Sequence, residues 1–227
     1  MKALPFVISF SSLLFLSFAC VLIFGLAGYR KKKERGYSFL SEFPFELNEN
    51  QNGLSQISRV AVFASGLSFA LAETSLLWDN DFYPYITLGI VITVLGIAKA
   101  ACYILLYKVP AYHFKPHILV SVLHMALTGL LCAFEGIFFL NLRAVSEVPA
   151  LVLMGCEFAF ALLLCILAVN PKMSSWTKME TIGNEDGSIE VVRPKPFVLA
   201  FSEWLAIFAD LAGTLVFVLG IALFELN

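Results

Sequence analysis

HILVSVLHMALTGLLCAFEGIFFL, residues 117–140, decides the fold. A helix rises about 1.5 Å per residue and the hydrocarbon core of a bilayer is about 30 Å thick, so about 20 mostly apolar residues cross it. The stretch is long enough to do so. It also carries His117, Ser121, His124, Thr128 and Glu135 at helical spacing, with Cys132 beside them. A polar stripe along a membrane helix does not face lipid, so this segment needs partner helices.

Working outward, five more stretches have the same character. The expected spans are Pro5–Tyr29, Val60–Trp78, Tyr85–Tyr107, His117–Leu140, Pro149–Val169 and Phe197–Phe224. Hydrophobic residues make up 59% of the 227-residue chain and charged residues 14%, and the mean hydropathy is +0.85. A water-soluble core of this size needs more polar surface to cover it. The chain is therefore read as an all-α, polytopic integral membrane protein. It forms a bundle of six transmembrane helices with short loops and a single domain over residues 1–227. Pro116 and Pro149 are expected at first helical positions, where a missing N–H costs nothing.

Lys and Arg are retained on the cytoplasmic side of membranes. One set of loops holds Arg30, Lys31, Lys32, Lys33, Arg35, Arg59, Lys108, Lys115, Lys172, Lys178, Arg193 and Lys195, whereas the other side holds only Lys2 and Arg143. This bias predicts both termini outside the cytoplasm and a place in the plasma membrane. The first span is read as a reverse signal-anchor, because the strongest basic run follows it. Ser17-Phe18-Ala19-Cys20 departs from a lipoprotein cleavage box at the residue three before the cysteine, and apolar sequence continues past it.

The loops 30–59 and 170–196 are too small for independent domains. Gly36–Ser58 mixes Tyr37, Phe39, Phe43 and Phe45 with Glu42 and Glu46. Two readings stay open for it, a segment resting on the membrane surface and an irregular linker. Thr181–Arg193 has two β-prone runs about an Asp-Gly signal and predicts a small hairpin. The five cysteines all fall in spans, are expected as free thiols, and include no Cys-x-x-Cys pair.

Seven ionisable residues lie inside the expected spans: Glu73, Lys99, His124, Glu135, Glu157, Glu203 and Asp210. A charge at the bilayer centre costs about 2.5–3.5 kcal/mol on insertion scales, so such groups face the interior, paired, protonated or lining a wet cavity. Counted by residue rise, Glu73, Glu157 and Asp210 lie roughly 20 Å from the basic end, with Glu135 further out, and Lys99, His124 and Glu203 lie roughly 10 Å from it. Two distinct layers are expected, an acidic one above a mixed one holding a Lys99–Glu203 ion pair. One lysine cannot neutralise several acids, so protons or a cation must do the rest. Glu203 and Asp210 share a face with Ala206, Ala209 and Gly213, and Gly66 and Ala70 flank Glu73, which marks these faces as helix contacts.

Other chemistry has less support. His113 and His117 are four apart, but Pro116 intervenes and no cysteine or third ligand stands near, so no metal site is assigned. Three histidines are too few for a dihaem cytochrome, and no phosphate loop, Ser-x-x-Lys or His-Glu-x-x-His occurs. No cofactor, catalytic residue or nucleic-acid partner is expected; the partners are the lipid bilayer, a cation or proton, or another membrane protein. The leading reading is a secondary transporter for a cation or a proton-coupled substrate. In it Glu73, Glu157, Asp210 and Glu135 bind, while Lys99, His124 and Glu203 gate or relay. A non-catalytic accessory or scaffold subunit is the alternative. A membrane enzyme working on a lipid head group through His113, His117 and Glu203 comes third.

Overall fold

Each apolar stretch forms one helix. The computed structural model describes residues 4–34, 36–49, 52–78, 83–170, 180–183 and 189–225. Among these, α1 (Leu4–Lys33), α2 (Gly53–Thr74), α3 (Ile86–Leu106), α4 (Phe114–Asn141), α5 (Glu147–Ala168) and α6 (Val198–Glu225) are long and apolar enough to cross a membrane. The protein is an integral membrane protein with six spans. Neighbours in sequence pack side by side around a ring; α6 closes it against α1 and also touches α4 across the middle. The outer faces show Leu16, Val60, Val94, Leu162 and Leu219, which lipid solvates and water does not. The buried faces carry most of the polar groups of the spans.

Most helix ends fall within a few residues of expectation, but α2 begins seven residues before Val60. Asn52 caps it: its Oδ1 accepts from the Ser55 amide at 2.8 Å and its amide group reaches the Gly28 carbonyl at 3.4 Å. The added turns are serine-rich and so look too polar for a span, yet they pack inside. Ser58 Oγ donates to the Val21 carbonyl at 3.3 Å, and Ser65 Oγ bonds Ser17 Oγ at 2.9 Å. A Cβ on Gly28 would lie 2.7 Å from Ser55 Oγ, so only glycine lets α1 and α2 approach this closely. Pro116 and Pro149 occupy the third, not the first, helical positions of α4 and α5. The amides of that first turn have no intrahelical acceptor either, so the same tolerance applies.

The segment 36–49 is neither a surface strip nor an open linker. It folds into the basic end of the bundle, with Phe43, Phe45 and Leu47 buried and a 3-10 turn over Pro44–Leu47. Its carboxylates find donors there. Glu42 accepts from the Tyr29 hydroxyl at 2.9 Å and from the Ser38 amide. Glu46 accepts from the Phe43 amide and from Arg193 Nη1, each at 2.7 Å. Trp204 Nε1 donates to the Tyr37 hydroxyl at 2.9 Å, and burial together with Glu46 and Glu42 holds that phenol well above its ordinary pKa. The expected hairpin forms between β1 (Glu180–Gly183) and β2 (Ile189–Val192), antiparallel with Glu180 opposite Val192; its Asp-Gly turn lies outside the described residues.

Candidate intramembrane ion site

The polar stripe of α4 is buried along its whole length, from His117 through Ser121, His124, Thr128 and Cys132 to Glu135. Those eighteen residues of rise span about 27 Å, close to the full hydrocarbon thickness. Two contacts register α4 against α6. His117 Nε2 lies 2.9 Å from Glu203 Oε1, and His124 Nε2 lies 3.5 Å from Asp210 Oδ2. Both pairs step by seven residues on each helix, so α4 and α6 run parallel with two turns between contacts.

Lys99, from α3, is completely buried and bonds Asp210 Oδ1 at 2.8 Å. Its ammonium also lies 3.9 Å from Glu73 Oε1 and 4.1 Å from the centre of the Phe69 ring. The expected Lys99–Glu203 pair is therefore corrected to Lys99–Asp210. Glu203 belongs to a second group: it accepts from Ser121 Oγ at 2.5 Å and contacts His117, whose Nδ1 meets the Val109 carbonyl at 2.7 Å. The two expected layers also merge at Asp210, which bonds Lys99 and lies 3.5 Å from His124. The physical reason is side-chain lean. Helical side chains tilt toward their own N-terminus. α3 starts at the end away from the basic loops and α6 starts at the basic end. Lys99 thus leans outward on its long stem while Asp210 leans back to meet it, and Glu203 leans away toward His117.

Around this pair stand three more acids. Glu73 and Glu135 face each other closely enough to interact electrostatically. Glu157, from α5, is fully buried and joins Cys132 and Glu135 within 4.8 Å. Glu73, Glu135, Glu157, Asp210, Lys99 and His124 thus converge, and Glu203 stands apart. Among the described residues, no hydrogen-bond donor reaches either oxygen of Glu73 or of Glu157, Oε1 of Glu135 or Oδ2 of Asp210. Four buried carboxyls face one lysine and one histidine. They cannot all be ionised without a further cation or protons.

Several participants were not assigned from sequence. Phe69 needed the placement of Lys99. Tyr103 and Tyr107, buried with ring centres 5.3 Å apart, continue the Lys99 face at four-residue steps, a signal that was present in the spacing. Phe43 and Phe45 stand edge-on to His117, with ring centres 5.0 and 5.6 Å away, so the folded segment covers the basic end of the column. His113 is exposed beside Tyr112 and is not part of the His117–Glu203 group, which removes one member of the head-group enzyme set. The fold and site together define a polytopic α-helical membrane protein with an ionisable interior. Compared with known proteins, the chain matches no family model, no curated protein and no solved structure.

Proposed function

We propose that this protein is a small secondary transporter that moves a cation, or a substrate together with protons, across the plasma membrane. The reading is carried by one observation: four buried carboxyls, from four helices, converge near one lysine and keep oxygens that no donor among the described residues reaches. In this reading Glu73, Glu135, Glu157 and Asp210 hold the cation or the coupling protons. Lys99 neutralises part of their charge and, with His124 and Glu203, relays or gates. The basic loops face the cytoplasm, and the segment 36–49 closes that end over His117. A release of the segment, or a tilt of α6 against α4, then opens the column to one side at a time.

Complete burial of the cluster favours a second reading, a non-catalytic accessory subunit whose interior polar groups hold the bundle in register. Proteoliposomes with an internal pH dye and an imposed potassium diffusion potential separate the two. The transporter reading expects wild-type vesicles to conduct protons, or sodium, potassium or zinc ions, above empty vesicles, with Glu73→Gln and Glu157→Gln folded but inactive. If wild-type vesicles conduct no more than empty ones and the amide variants are equally or more stable, the accessory reading takes its place.

A further inference from the structure

We propose that Cys132, Glu135 and Glu157 form a binding site for a divalent transition-metal ion of the zinc class. Cys132 and Glu135 are three residues apart on α4 and so project from one face. Glu157 reaches the same point from α5. One sulfur and two carboxyl oxygens lie within 4.8 Å of one another, and all three residues are buried. Zinc bonds of about 2.3 Å to sulfur and about 2.0–2.2 Å to oxygen give tetrahedral edges of about 3.3–3.6 Å, so a contraction of about 1 Å closes the set.

A second observation points to a ligand. Glu157 is 0% exposed, yet among the described residues no hydrogen-bond donor from outside the cluster reaches either of its oxygens, and none reaches Oε1 of Glu135. Apolar packing would not leave these groups empty-handed, because each buried acceptor without a donor is costly. The third face of the cluster is covered by a glycine. Gly213 of α6 faces the cluster, and a Cβ there would stand 3.2 Å from Cys132 Sγ and 3.5 Å from Glu157 Oε2. Three protein ligands, with no fourth His, Cys or carboxylate grouped with them among the described residues, match an exchangeable site rather than a closed four-ligand structural one.

The donor set selects the class of ion. Sulfur disfavours sodium, magnesium and calcium, which take oxygen, and suits zinc, cobalt and their neighbours. Binding replaces the thiol proton: the S–H bond breaks, an S–metal bond forms and the proton leaves to solution, so affinity rises with pH. No spacing rule for metal ligands contains Cys-x-x-Glu alone, and the third ligand comes from another helix. As a cargo, the ion rests on the transporter reading; as a bound ion, it is measured separately.

The experiment is titration of the purified, detergent-solubilised full chain with cobalt(II), followed by the sulfur-to-cobalt charge-transfer absorption in the near ultraviolet. One equivalent should develop the band, zinc should abolish it and magnesium should not. Cys132→Ser should lose it, Glu157→Gln should weaken binding by about tenfold or more, and Cys165→Ser should leave it unchanged. A folded wild-type protein without the band, or a full band in Cys132→Ser, overturns the site. If Cys132→Ser does not fold, Glu157→Gln decides, and undiminished affinity there overturns it equally. Zinc uptake into vesicles carrying a zinc-responsive dye is measured in parallel. A cobalt band without zinc uptake keeps the site and rejects this ion as cargo. Glu73-dependent proton flux without a cobalt band keeps the transporter and rejects the site.

Discussion

Replacing Lys99 by methionine tests the centre of the bundle. Lys99 is 0% and Asp210 2% exposed, and their 2.8 Å contact is the shortest ion pair of the cluster. Removing one partner of a buried pair costs about 3–5 kcal/mol, because the other charge stays in low dielectric without compensation, whereas removing both is often nearly neutral. The structure ranks the single variants. Lys99→Met leaves Asp210 with His124 at 3.5 Å and leaves Glu73 without its cation. Asp210→Asn leaves Lys99 with Glu73 at 3.9 Å and the Phe69 ring at 4.1 Å. Lys99→Met should therefore fall near the upper end of that range and Asp210→Asn near or below the lower end. The double variant should recover most of the loss. Equilibrium unfolding by sodium dodecyl sulfate in mixed micelles, followed by circular dichroism, measures each value. Glu203→Gln serves as the control partner, since Glu203 bonds His117 and Ser121 instead. A double variant no more stable than Lys99→Met, or rescue by Glu203→Gln as large as rescue by Asp210→Asn, would refute the pairing.

Arg193 ties the segment 36–49 down through the Glu46 carboxylate at 2.7 Å and the Ser41 carbonyl at 3.3 Å. Hydrogen bonds to charged groups contribute about 1.5–3 kcal/mol, and Arg193 is about a third exposed, so the lower end applies. Arg193→Ala should speed thiol labelling of a buried Ser41→Cys probe by about tenfold, and an unchanged rate contradicts the clasp. Tyr37 stays neutral in the fold while the unfolded phenol ionises near pH 10. The unfolded state then binds fewer protons, so stability falls as pH rises above about 10. Tyr37→Phe should lessen that fall by about 1.4 kcal/mol per pH unit; identical alkaline slopes contradict it. For the orientation, Ala144→Cys should react with an impermeant maleimide on intact cells and Lys195→Cys should not, in a background lacking Cys165. The reverse pattern inverts the topology.

Much of this molecule was legible before any helix was placed. Six spans follow from apolar length alone, because a bilayer imposes one thickness on every crossing element. The interior face of α4 follows from His117, Ser121, His124, Thr128 and Glu135 recurring at helical spacing, since such a stripe has no tolerable place against lipid. The hairpin follows from local turn chemistry. The serine-rich start of α2 was not legible, because hydropathy scores side chains one at a time and cannot see that Ser55 and Ser58 nest against Gly28 and Val21 of α1. The folded segment 36–49 escaped for a related reason: whether its aromatics meet lipid, water or a protein crevice depends on what α4 and α6 offer at that end.

Pairing was decided by the tertiary structure alone. Sequence sets the depth of each Cα, but a lysine stem covers several ångströms and its lean follows the direction of its helix. That lean, opposite on α3 and α6, joins Lys99 to Asp210 and releases Glu203 to His117. The meeting of Cys132 and Glu135 with Glu157 is likewise a product of α4 packing on α5 with glycine facing them from α6. Membrane burial dictates that these groups turn inward; only the rotation and register of neighbouring helices choose which of them touch.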